Sequence, residues 1–190
     1  KRGGGLLVMN SPKRSEISHT YFSGLSNGNN ESRFLNGAVT FYRSDVTIES
    51  ASFDSNISGD DYLNIIASQY SIKNTNFENT ISDGFDSDYS DGRIENVTLD
   101  NIGLDHQLGG DGIDFSGSNA LIRNIRISQV SDKAISVGER SKVKIQNVVV
   151  QNAINAIVSK DGSVVEIEGA IFNHLDRALV AIKKKSGYGP

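Results

Sequence analysis

Residues 83–96 read DGFDSDYSDGRIEN, and residues 111–124 read DGIDFSGSNALIRN. Laid over each other, both open on Asp-Gly, alternate apolar with polar residues, break at a small-residue turn, and close a second alternating stretch on Asn96 or Asn124. The same line continues in both directions: GAVTFYRSDVTIES from Gly37, DYLNIIASQYSIKN from Asp61, DKAISVGERSKVKIQN from Asp132 and NAIVSKDGSVVEIEG from Asn155. Successive starts lie 24, 22, 28, 21 and 23 residues apart. A third short alternating segment follows each line, among them TNFENT, VTLDNI, IRISQV and VVVQNA. Further lines fit from Gly4 and from Arg177, so about seven to eight repeats of about 22 residues fill the 190-residue chain as one domain.

A period of two marks β-strands, and no sustained i, i+3, i+4 apolar stripe marks a helix. One coil of three short strands cannot enclose a core, so successive coils must stack, roughly 4.8 Å apart, with equivalent residues in register. The fold expected is therefore all-β, a single-stranded right-handed parallel β-helix. Its inward rows are apolar, and Asn74, Asn96, Asn124 and Asn147 recur at one turn position, where they can hydrogen-bond along the axis.

This coil pattern and its asparagine row resemble the right-handed parallel β-helix superfamily, the pectate-lyase-like fold with repeats of the kind found in carbohydrate-binding proteins and sugar hydrolases. The resemblance covers nearly all of the chain. It implies a carbohydrate-directed protein with its working surface on an outer sheet.

Bulk composition narrows the partners. With 37% apolar and 22% charged residues the chain has the makeup of a globular protein, and no apolar run is long enough to span a bilayer. Between Asp83 and Asp114 nine acids face one base, Arg93, which makes that surface a poor partner for nucleic acid. The absence of cysteine removes disulfides, thiolate chemistry and Cys-based zinc sites. An extracellular, periplasmic or cell-surface location is expected, and the ends KRGGG and KKKSGYGP suggest a piece of a longer polypeptide carrying further domains.

The alignment also assigns directions. Leu63, Phe85 and Ile113 form one inward row, and Ile65, Ser87 and Phe115 a second. Asn64, Asp86 and Asp114 then point outward beside Ile66, Asp88 and Ser116, while Asp61, Asp83, Asp111 and Asp132 fill a turn row. Stacked carboxylates repel, so such a cluster must hold a proton or bind a cation. Calcium suits a flexible set of oxygen donors, with Asp83, Asp86, Asp88, Asp111 and Asp114 as candidate ligands. Neither familiar calcium grammar fits: the EF-hand spacing fails at Val97, and GGDGIDFSG occurs once and has Ser116 where a β-roll repeat has a large aliphatic residue.

Two reactions suit the cluster. In glycoside hydrolysis Asp86 and Asp114, with Asp88 beside them, supply acid and base. In elimination or epimerisation a base removes a proton next to a uronate carboxylate that a cation neutralises. Candidate substrate contacts are Asn64, Tyr62, Tyr89, Arg93, His106 and Lys133, with His106 in the inserted loop Leu104–Gly110. The polygalacturonases of this fold carry a Gly-His-Gly stretch that is missing here, and the one Arg-x-Lys, Arg140 to Lys142, lies beside a turn. The expected partner is a polysaccharide or other glycan. The alternative is a non-enzymatic spacer or adhesin module in which turn aspartates only bond local amides.

Overall fold

The computed structural model describes residues 4–27, 36–105 and 109–188. Three strands, β1 (Leu6–Met9), β2 (Ser15–Ser18) and β3 (Tyr21–Ser23), make the first coil. The next is β4 (Gly37–Tyr42), β5 (Val46–Glu49) and β6 (Ser52–Asp54), and the third is β7 (Asp61–Ile66), β8 (Gln69–Lys73) and β9 (Asn76–Thr80). From β10 (Asp83–Asp88) onward the corners tighten. One strand, β11 (Asp91–Ile102), spans two sides of its coil, and after β12 (Ile113–Ser116) the strands β13 (Asn119–Gly138), β14 (Lys142–Lys160) and β15 (Val164–Ile182) each run through all three.

Every neighbouring pair of coils is parallel and in register. This is the parallel β-solenoid that the repeats predict, with three faces. The first face stacks β1, β4, β7, β10, β12 and the last residues of β13, β14 and β15. Among the described residues no helix is long and apolar enough to cross a membrane.

The core consists of residues standing over their own kind. On the second face Ile17, Ile48, Ile72, Ile94, Ile122, Ile145 and Ile167 lie one over the next. On the third, Phe22, Phe53 and Phe77 stack with ring centroids 4.9 and 4.7 Å apart. Like-on-like stacking lets identical shapes interdigitate at close to crystal density without a partner of complementary shape.

The corners are stitched by polar rows. Between the second and third faces the amide nitrogen of each asparagine donates to the side-chain oxygen of the one before: Asn96 to Asn74 at 3.1 Å, Asn124 to Asn96 at 3.0 Å and Asn147 to Asn124 at 3.2 Å. All four have positive φ, between 50 and 59°, a conformation asparagine tolerates better than other residues with a Cβ. Between the first and second faces runs a serine row that the sequence reading missed. The backbone N–H groups of Ser11, Ser44, Ser68, Ser90, Ser118 and Ser141 each donate to the hydroxyl of the serine one coil on, ending at Ser163, over 2.8 to 3.2 Å.

Replacing Asn124 with Ala removes one donor and one acceptor from the asparagine row and leaves a strained φ of 53°. The expected loss is about 2–3 kcal/mol, read from the urea unfolding midpoint.

Candidate functional site

The site is the outer surface of the first face. Its central ladder runs Thr40, Asn64, Asp86, Asp114, Ser136, Val158, each in register with the next. Asp86 and Asp114 are therefore direct neighbours, as the repeat alignment requires, and Asp88 lies over Ser116 in the adjacent row. The inward residues Leu63, Phe85, Ile113, Ile65, Ser87 and Phe115 are buried, so the alternation fixes which side each carboxylate takes.

Asn64 is 1% exposed, and its side-chain amide donates to Asp86 Oδ2 at 3.3 Å and Asp88 Oδ2 at 3.1 Å, drawing these two carboxylates together. Four buried oxygens of the ladder have no hydrogen-bond partner among the described residues: Asn64 Oδ1, Asp86 Oδ1, Asp114 Oδ1 and Ser136 Oγ. Asp61 Oδ2, on the rim, is a fifth. Unpaired buried oxygens are rare in folded proteins because each costs about 1–3 kcal/mol. A run of them on one face marks where a donor or a cation belongs.

The rim toward the third face is a row of carboxylates bonded to backbone. Asp83 Oδ1 accepts the Asp111 N–H at 2.8 Å, and Asp111 Oδ1 accepts the Lys133 N–H at 3.2 Å. The Lys133 ammonium binds Asp111 at 3.1 Å and also binds Asp132. Here the structure corrects the sequence reading. The turn row is Asp61, Asp83, Asp111 and then Lys133, which is in register with Asn155, and Asp132 is displaced by an irregularity between Val130 and Lys133. The 21-residue step read from Asp111 to Asp132 is a 22-residue step onto Lys133.

Carboxylate oxygens of Asp83, Asp111 and Asp114 lie within 4.8 Å of one another. An all-oxygen set of this kind fits a hard cation such as calcium, and Asp114 Oδ1 has a lone pair to spare for it. Asp86 and Asp88 lie in the adjoining rows of the same surface.

Electrostatics follow from crowding and burial. Burial, with the Asp111 charge next, pushes Asp83 up to about 8. Burial raises Asp111 to about 6 against the opposing pull of Lys133. Asp61 and Asp86 are raised well above the carboxylate range, first by burial and then by neighbouring charges, and Asp88 moves in the same direction. Burial opposes the charge on Lys133, but Asp111 and Asp132 more than offset it and hold the ammonium above its ordinary value.

Not every candidate contact lies here. Tyr62 is fully buried, its ring edge-on to Phe53 and its hydroxyl donating to the Asp54 carbonyl at 2.9 Å, so it is a core residue and not a sugar platform. Arg93 lines a groove on the second face with Arg14, Lys142 and Lys144, away from the aspartates. Tyr89 is on the rim: it is 64% exposed, lies over Gly117 and donates to Glu139 Oε2 at 3.4 Å. His106 lies outside the described residues.

Asp61, read from sequence as a turn aspartate, belongs to the rim of this surface and is 2% exposed. Other residues of the surface were missed from sequence. Glu139 binds Lys185, and Lys160 reaches to 3.7 Å from Asp114 Oδ1. The usable signal was register, since extending the row Asp88, Ser116 by two coils leads to Gly138 and Lys160.

Because Asp83 and Asp111 hold protons more tightly folded than unfolded, the native state binds protons that the unfolded chain releases above about pH 4. Stability without divalent ions is therefore expected to fall as pH rises from about 4 through 6 to 8. Urea midpoints measured across that range in chelator check this, and a flat profile contradicts it.

Residues 61–188 match a family model described as a right handed beta helix region. Comparisons with curated proteins and with solved structures give no match.

Proposed function

The chain belongs to the right-handed β-helix family, and we propose that on this scaffold it binds or processes a polysaccharide along the outer surface of the first face, outside the cell or at its surface. The observation that carries the reading is the line of unpaired oxygens on Asn64, Asp86, Asp114 and Ser136. A glycan is rich in the hydroxyl donors that these oxygens lack. Tyr89 on the rim offers an exposed ring for a sugar face.

Charge refines the reading. Carboxylates outnumber ammonium groups on this surface, so a neutral sugar can lie on it directly, whereas a uronate needs a bridging cation. Asp83, Asp111 and Asp114 are the residues that would hold calcium, whose role would be to neutralise an anionic substrate group. In a hydrolytic reaction Asp86, which holds its proton well above the usual range, is the acid, with Asp114 beside it as the base.

The test is a binding and product screen on neutral and uronic glycans, with and without Ca²⁺, using wild type and the Asp86→Asn/Asp114→Asn variant. Wild type is expected to bind at least one glycan and the variant to lose it by tenfold or more, with thermal stability unchanged or raised because repulsion is relieved. Calcium is expected to raise the wild-type melting midpoint. Absence of any glycan binding, with no response to calcium, favours a structural or adhesin module instead.

A further inference from the structure

We propose that Lys160 is a working residue of the first-face site: its ammonium is the protein's own counter-ion for Asp114 and competes there with a divalent cation. The inference rests on the reading that this face holds a cation-assisted ligand site.

Lys160 ends β14 and stands on the first face, two residues beyond Val158 of the central ladder. It is 8% exposed, so it is no solvated surface lysine, and an ammonium so placed needs a compensating charge. Asp114 supplies one, with Oδ1 3.7 Å from Nζ, and the neighbouring Asp161 feels the same ammonium. Gly138 leaves the Lys160 chain room, since a Cβ built there would lie 3.2 Å from Lys160 Cε and shift that end of the chain by a few tenths of an ångström.

The distance is the informative quantity. At 3.7 Å the charges attract, but the contact is too long for a hydrogen bond. Asp114 Oδ1 accordingly has no donor, and neither does the fully buried Ser136 Oγ in the next rung. Lys133 behaves differently: it contacts both oxygens of Asp111 and also Asp132, so its donors are spent on the rim. A cation shared by Asp83, Asp111 and Asp114 would meet two positive charges, Lys133 hydrogen-bonded to both oxygens of Asp111 and Lys160 at 3.7 Å from Asp114 Oδ1. Lys160 is the one of the two that makes no hydrogen bond to its ligand, so its charge can yield without breaking one.

Calcium and luminescent terbium titrations of wild type, Lys160→Met, Lys160→Arg and Gly138→Ala test the proposal. Removing a like charge next to the ligand set should tighten metal binding in Lys160→Met by about tenfold. Lys160→Arg should bind like wild type. Gly138→Ala, which keeps the charge but displaces the chain, should fall between them. Thermal melts without metal establish that each variant is folded, and Gly138→Ala serves if Lys160→Met is not. Equal affinity in wild type, Lys160→Met and Gly138→Ala overturns this inference alone. No metal binding in any of the four overturns it together with the cation part of the functional reading.

Discussion

Axial register is the constraint on which the structure depends. Each coil donates and accepts backbone hydrogen bonds in parallel with the next, so a residue's nearest neighbours in space are its counterparts one repeat away. Whatever a position holds is thereby multiplied. Isoleucine over isoleucine fills space, asparagine over asparagine donates and accepts in a chain, and serine hydroxyls accept the amides of the coil before. The same geometry is costly for carboxylates, which repel at the spacing where amides attract. The first face is where the sequence accepts that cost, from Asp61 to Asp114, and where ammonium groups from Lys133 and Lys160 enter from the coils that follow.

The architecture was legible because it is written as period and alternation. Inward and outward sides followed from single residues such as Phe85 and Asp86, and the asparagine row could be seen because Asn recurs at one place. The serine row has the same physical standing but escaped notice, since serine at a turn reads as generic turn chemistry. Register errors were local. Asp132 looked like the next member of the aspartate row, but an irregularity after Val130 hands that place to Lys133. Tyr62, a candidate sugar contact by its place next to the aspartate rows, turns into the core instead, where the Asp54 carbonyl satisfies its hydroxyl.

The candidate site was half legible. Pairing Asp86 with Asp114 needed only the repeat, because both lie in regular strands. Lys160 could not be found by looking for a cluster in sequence, since it lies 46 positions after Asp114 and comes onto this face only through the register of two further coils. Arg93 shows the converse: only five residues from Asp88, it has turned the corner onto another face.

The outward edge of β15 has no strand beyond it among the described residues, and Val164, Ile171, Leu179 and Ile182 stand exposed along it. A closed barrel has a circumference that fixes its strand number, but a solenoid has none. Its extent is decided only by how many coils the gene encodes, and each added coil inherits a ready-made template. Such a molecule can therefore lengthen its working surface in units of one repeat without redesigning what is already built.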